Sequence, residues 1–375
     1  MDEQEFKMEA SPGVYISYPF CNQKCSFCNF SSGVSPVETR VRYDPTLLNE
    51  LQSHSWDRLP DTVYFGGGTP SLMPLETMAA LMNRIPRANL REVTLECAPG
   101  TVNREAAEEW KRCGIDRVSL GVQSFVEVEL RQTGRRHSAE TVRFDVETLR
   151  QAGIHNVNID LIAGLPQQTL ESWEYSLGWI EHLKSPHVSV YIFEIDENSR
   201  LGKEILLGGV RYGADHLPSE QLTAELYERA AKRLAALGLN RYEISNFAAA
   251  GHESRHNLKY WRLEPYVGFG LDAHSFNGKE RWSNPDTLPA YFEQQSHVHI
   301  ERHEVAATDA SEEHFFVGLR LMEGITPTAQ EWFRFAEPIS RWVQAGMLER
   351  DGPWLRLAEP GILLSNEIFQ DFIHA

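Results

Sequence analysis

No stretch of this 375-residue chain approaches the roughly 20 consecutive apolar residues that a membrane-spanning helix needs. The first residues, Met1 to Pro12, are polar and acidic and lack the apolar core of a secretory signal. Both absences lead to the expectation of a cytoplasmic protein. Positive charge is also short: 36 Lys and Arg stand against 53 Asp and Glu, a formal net charge of −17. Binding to a phosphate backbone needs clustered Lys and Arg, so nucleic acid is not an expected partner. Cysteine is scarce too. Five in 375 residues make no disulfide framework, and a reducing cytosol would not maintain one. Internal repeats, low-complexity tracts and long charge runs are missing. Against that plain background, three of the five cysteines fall within eight residues.

What is present is a rhythm. Short β-branched runs occur at Val14–Tyr18, Thr62–Phe65, Glu92–Leu95, Arg117–Leu120, Asn156–Ile159 and Val188–Phe193. Helical patterns follow most of them, over Asp44–Ser55, Ser71–Arg84, Asn103–Cys113, Ala139–Ala152 and Leu170–Leu183, with a long one at Ser219–Leu237. Alternation of this kind predicts parallel βαβ units. Six units fit an α/β fold built as a partial (β/α)6 barrel of the TIM type, with a doubly wound open sheet as the rival. Both put their chemistry at the carboxyl ends of the strands, where glycine or polar residues do stand: Gly66-Gly67-Gly68-Thr69-Pro70, Glu96, Gly121-Val122-Gln123-Ser124, Asp160 and Glu194. From about Val305 the pattern changes to helices at Ser311–Leu321, Pro338–Met347 and Gly361–Phe372 around a β-wing at Glu349–Leu357. This predicts a C-terminal helical, winged-helix-like domain. Its 11 acids against 5 arginines, a net of −6, speak against DNA.

The segment Cys21-Asn22-Gln23-Lys24-Cys25-Ser26-Phe27-Cys28 follows the first strand directly. Thiolates are soft ligands that select Fe–S clusters, zinc or Cu(I). Structural zinc wants four ligands, and the loop holds no fourth Cys or His, so zinc would need a remote ligand. Three thiolates also fall one short of a four-iron cluster, leaving one iron open to a small molecule. Cys97 and Cys113, outside the loop, read as small buried hydrophobes.

The spacing CxxxCxxC after strand one, with the aromatic Phe27 before the third cysteine, resembles the radical-SAM superfamily. That resemblance implies a [4Fe–4S] cluster on Cys21, Cys25 and Cys28 whose open iron is chelated by S-adenosylmethionine (SAM), the source of a 5′-deoxyadenosyl radical. It also implies SAM contacts from Tyr15, from the run Gly67, Gly68 and Thr69, and from Glu96, Gln123, Arg135 and Asp160 in the blocks LE, GVQS, GRRH and NIDLI. Further blocks, YISYPFCNQKCSFCNF, YFGGGTPS, NIDLIAGLP, RYEISNFA, HNLKYW, GFGLDAHSF and GILLSNEIF, are similar to the family of oxygen-independent coproporphyrinogen III oxidase and its heme-chaperone relatives.

Two features favour the chaperone branch. Phe30 stands where the oxidase has a fourth cysteine, and only 20 residues precede Cys21. The implied function is a heme chaperone that binds heme, cluster and SAM and delivers heme to respiratory proteins, with an electron donor to the cluster as a further partner and a homodimer as an allowed state. Radical decarboxylation of coproporphyrinogen III is the alternative. The same resemblance implies that His256, in His256-Asn257-Leu258-Lys259-Tyr260-Trp261, ligates heme, with Arg255 and Lys259 near the propionates and His274 as a second candidate. The expected organisation is a radical-SAM core over 1–245, a connecting segment over 246–304 with HNLKYW, and a C-terminal domain over 305–375.

Overall fold

The computed structural model describes residues 10–293 and 301–373. Six strands, β1 (Gly13–Tyr18), β2 (Thr62–Gly67), β3 (Glu92–Cys97), β4 (Arg117–Gln123), β5 (Asn156–Ala163) and β6 (His187–Ile192), lie side by side in chain order, each neighbouring pair parallel. A doubly wound sheet would reverse that order partway along; an unbroken run from one to six is the barrel arrangement. Both edges are extended by later residues. β7 (Asn240–Glu243) and β8 (Asn246–Ala248) form a hairpin whose β8 pairs antiparallel with β6. On the other edge β9 (Tyr266–Phe269) pairs parallel with β1 and leads through β10 (His274–Phe276) and β11 (Glu280–Ser283) to β12 (His303–Glu304). The wall of β1–β6 therefore continues into flanking strands instead of closing on itself.

The strand alternation sorts the two faces. Val14, Ile16, Val63, Phe65, Leu95, Val118, Leu120, Val157, Ile159, Val188 and Val190 are buried beneath the helices. The alternate positions carry Tyr15, Tyr64, Thr94, Glu96, Arg117, Ser119, Asn158, Asp160, His187 and Ser189, in register across the sheet. Several of these polar groups satisfy one another: Ser119 Oγ donates to Asp160 at 3.1 Å, Asn158 Nδ2 to Asp160 at 2.7 Å, and the His187 ring pairs with Asn158 at 2.6 Å, whereas Thr94 Oγ1 and Arg117 Nε are buried without a partner.

The helices match their expected positions with shifted ends. Leu170–Leu183 is helical over the expected residues, started by Thr169, whose hydroxyl accepts the N–H of Ser172 in a reciprocal capping box. Asn103 caps Arg104–Cys113 in the same sense, and Gly114, in the left-handed region, ends it. The helix expected from Asp44 already begins at Val37, after Pro36. The one expected over Ser71–Arg84 is split, because Pro70 and Pro74 allow only a 3-10 turn, Pro70–Leu72, before the helix Leu75–Met82. In the C-terminal part the helices are Ala307–Gly318, Ala329–Arg334, Ala336–Gln344 and Ser365–Gln370, and the wing is the hairpin of β13 (Leu348–Asp351) and β14 (Trp354–Leu357). Phe315, Phe335 and Phe372 pack there ring on ring, 4.5 to 5.6 Å apart. Among the described residues no helix is long and apolar enough to cross a membrane.

Candidate cofactor site

The cysteine loop has almost no regular structure of its own; contacts with distant segments hold it. Phe20, fully buried, is clamped edge-on by Tyr18 and Tyr43, each at 5.1 Å. The Cys21 N–H donates to Gly33 O at 2.9 Å, and the Gly33 N–H to Pro19 O at 2.9 Å, which closes the base of the loop. Ser26 N–H donates to Thr133 O at 3.1 Å, and the N–H of Leu201 donates to Ser26 O at 2.8 Å. The neighbouring glycines are required by this packing. A Cβ on Gly68 would lie 2.7 Å from the Pro19 carbonyl carbon, and Gly67 has φ +111°, so strand β2 can pass close under the loop only with glycine there.

Cys21, Cys25 and Cys28 all face one cavity of about 560 Å³ at the carboxyl ends of the strands. The same cavity is lined by Phe27, Gly67, Gly68, Thr69, Glu96, Gln123, Arg135 and Asp160. Eleven residues spread over 140 positions thus converge as the sequence motifs imply. Cys21 is buried, while Cys25 and Cys28 are half-buried. Burial pushes the Cys25 thiol up, opposed by the hydrogen-bonded Arg135 guanidinium, which favours the thiolate a metal needs. Among the described residues no three His, Cys, Asp or Glu side chains converge as a single-ion site. Three thiols on one cavity suit a multi-iron centre, where each binds its own iron.

Deeper in the cavity the groups are charged and only partly compensated. Glu96 accepts from Tyr64 Oη at 2.8 Å, and burial raises its carboxyl to about 7. Asp160 is likewise raised by burial, against the hydrogen bonds from Ser189, Ser119 and Asn158. Gln123 has φ +70°, beside an irregularity in the β4–β5 register that turns the end of β4 toward the cavity. The Nε of Arg135 is buried without a hydrogen-bond partner. An orphaned guanidinium nitrogen beside carboxylates and glycine backbone fits an amino-acid-bearing ligand with both charges.

Sequence reasoning missed two residues. Tyr64, which orients Glu96, was hidden in an apolar run. His137 belongs to the GRRH block and lines the cavity; its Nε2 is buried and unpartnered, and burial with Arg135 beside it lowers the imidazole to about 4, so it is neutral. Cys97 and Cys113 are buried as expected, though Cys97 also reaches the cavity wall.

Two expected site residues lie elsewhere. Tyr15 lines an adjoining side cavity, stacked on Tyr64 with ring centroids 6.1 Å apart. His256 is not at the carboxyl-end rim. The helix Arg255–Trp261 sits under the amino ends of β1–β3, its first N–H groups held by Glu92, which accepts from Arg255 at 2.9 Å and His256 at 3.0 Å. His256 is 0% exposed, and both ring nitrogens are engaged: Nδ1 with Thr62 Oγ1 and Nε2 with Tyr260 Oη, each at 2.9 Å. Burial lowers its pKa to about 3. In this conformation an iron could bind His256 only in exchange for one of these two hydrogen bonds. Lys259, expected near propionates, is buried and paired with Asp61 at 2.8 Å and Glu264 at 3.1 Å.

Comparison with known proteins agrees with this geometry. Residues 15–180 match the family model of the radical SAM superfamily. The chain is 32% identical to the heme chaperone HemW of Bacillus subtilis (strain 168), covering 96% of this chain and 98% of that one. It is 30% identical to the heme chaperone HemW of Escherichia coli (strain K12), covering 96% and 97%. Among solved structures, the coproporphyrinogen III oxidase (HemN) of Escherichia coli, described as a radical SAM enzyme, superposes with a TM-score of 0.82 over 100% of this chain and 94% of that one at 22% identity, a likeness of fold. With its barrel order, its three cavity-facing thiols and full-length relatives at this identity, the chain belongs to the HemW family of radical-SAM proteins.

Proposed function

We propose that the protein is a cytoplasmic heme chaperone that holds a [4Fe–4S] cluster on Cys21, Cys25 and Cys28, binds SAM beside it, and passes heme to respiratory proteins. The observation that carries this reading is the pairing of a full-length likeness to heme chaperones with Phe30 at the place where the oxidase has a fourth cysteine. The cluster, when bound, supplies an open iron for SAM and the electron that cleaves it, which calls for a one-electron donor protein. The chain's own residues do the rest. Arg135 pairs with the SAM carboxylate. Glu96 and Asp160 accept from its ammonium and ribose hydroxyls, Gln123 adds a polar contact, and the backbone of Gly67, Gly68 and Thr69 lets the methionine end approach. Phe27 covers the cluster side and excludes water.

The test uses anaerobically reconstituted protein. Addition of hemin should produce a Soret band at a stoichiometry near one per chain. Addition of coproporphyrinogen III, SAM and reductant should yield no protoporphyrinogen. Accumulation of the divinyl product would replace the chaperone reading with the oxidase, and a preparation of Cys25→Ala that keeps its iron and labile sulfide would remove the cluster assignment.

A further inference from the structure

Charge is distributed unevenly around the thiols. Residues 21–42, 131–137 and 199–211 hold nine Lys and Arg against two acids, Glu38 and Glu204, a net of +7, while the remainder of the chain carries −24. Long-range contacts join these three segments around the cysteine loop. Gln23 Nε2 donates to Gly134 O, Ser26 Oγ to Gln132 O at 3.1 Å, the Leu201 N–H to Ser26 O at 2.8 Å, and the Arg200 guanidinium to Lys24 O. Arg40 Nη2 donates to Cys21 O at 3.2 Å, which ties in the helix Val37–Ser53. We infer that this face docks a small acidic one-electron carrier protein that reduces the cluster. The inference rests on the cluster assignment and gives the docking face of the electron donor which that assignment calls for.

Three observations carry it. The first is charge. Arg42, Arg131, Arg136, Arg200, Lys203 and Arg211 are exposed. Arg131 pairs with Glu127, and the other five have no ion pair among the described residues. Glu127, Glu194, Asp196, Glu197, Asp215 and Asp272 stand at the edges of the face, and with these six counted its balance is still +1. An acidic carrier is repelled by a chain of net charge −17 as a whole and attracted to this face, which orients the encounter. The second is apolar surface. Phe30, Val37, Val41, Leu206, Leu207 and Val210, all on the same segments, are 63% to 84% exposed. Single exposed apolar residues need no partner, but six on three joined segments, set among arginines, have the make-up of a protein interface. The third is proximity. The loop that carries the thiols is itself at the surface: Asn22, Gln23, Asn29 and Phe30 are exposed. A carrier seated there lies one loop's thickness from the cluster. One electron leaves the carrier's reduced centre and the cluster passes from its 2+ to its 1+ state; no bond is made or broken. An anionic bilayer would meet the same charge, but the cluster's need for an electron favours the carrier.

The experiment takes anaerobically reconstituted protein and two acidic probes, a flavodoxin and a plant-type ferredoxin. Calorimetry reads binding, and EPR reads reduction of the cluster. At least one probe should bind, weaken about tenfold between about 0.05 M and about 0.3 M salt, and reduce the cluster when added pre-reduced. The double variant Lys203→Glu, Arg211→Glu should weaken binding about tenfold and Leu207→Ser about threefold. Iron, labile sulfide and the EPR signal after dithionite, a small reductant that needs no docking, should stay as in wild type. Lys232→Glu, exposed and outside the three segments, should bind as wild type does. Unchanged affinity in the double variant overturns the docking face, as does an equal loss in Lys232→Glu, which would make net charge the cause. A wild type that ignores both probes overturns it too; binding to phosphatidylglycerol vesicles in that case would move the face to the membrane. Wild type without iron and sulfide, or without an EPR signal after dithionite, overturns the cluster assignment itself, a different failure from the others.

Discussion

At the scale of single residues, the site works because groups that prefer water are kept inside a barrel and denied full compensation. Glu96 is the clearest case. Burial raises its carboxyl to about 7, with the Tyr64 hydroxyl pulling the other way, so it is about half ionised at neutral pH in the free protein. A cationic sulfonium ligand with an ammonium group prefers the ionised form. Binding below pH 7 must therefore expel a proton, and the dissociation constant for SAM should rise about tenfold between pH 8 and pH 6. In Glu96→Gln that slope should vanish while binding weakens at pH 8; calorimetric titration at both pH values reads it, and an unchanged slope would assign the titration to another group. The residue types were legible from their motifs. Tyr64 was not, since a tyrosine within a β-branched run carries no local sign of the carboxylate across the next strand.

At the scale of elements, the cysteine loop shows how a motif without secondary structure becomes rigid. Its anchors are the Phe20 clamp, the Thr133 and Leu201 backbone contacts and the glycine run under Pro19. Gly68→Ala brings a methyl against backbone atoms that cannot swing aside, so it should cost about 1–3 kcal/mol and lower both the urea midpoint and the iron retained after reconstitution. Equal midpoint and iron content would show that the loop yields there. Long periodic helices were readable because apolar spacing and caps are local: Leu170–Leu183 and its Thr169 cap needed no partner to be recognised. The strands β7 to β12 were not, because runs of two to four residues are too short to show alternation, and their sheet role depends on pairing with β1 and β6.

At the scale of the whole molecule, the polar barrel interior sets the response to pH. His256 and His137 are lowered to about 3 and about 4 by burial, and His187 is held well below its usual value for the same reason. Their unfolded counterparts bind protons near 6.5, so the unfolded state holds more protons in that window and stability falls as pH drops below 6.5. Glu96, near 7, and Asp145, raised by burial to about 6, act oppositely: the folded state holds their protons where the unfolded chain has lost them, so their contribution is lost as pH rises through those values. The double variant Glu96→Gln, Asp145→Asn should therefore show a steeper fall in urea midpoint from pH 7 to pH 5 than wild type; matching slopes would mean that these two carboxyls do not offset the histidines. The sequence alone determined the ligand spacing of Cys21, Cys25 and Cys28, the βαβ rhythm and the polar strand ends, because each depends on neighbours along the chain. Only the tertiary structure decided that His256 is sealed beneath the barrel while His274 stands open beside the cluster loop. That difference arises from pairings between residues far apart in the chain, such as Thr62 with His256 and Ser31 with Asp272, the latter 241 residues apart, which no local pattern encodes.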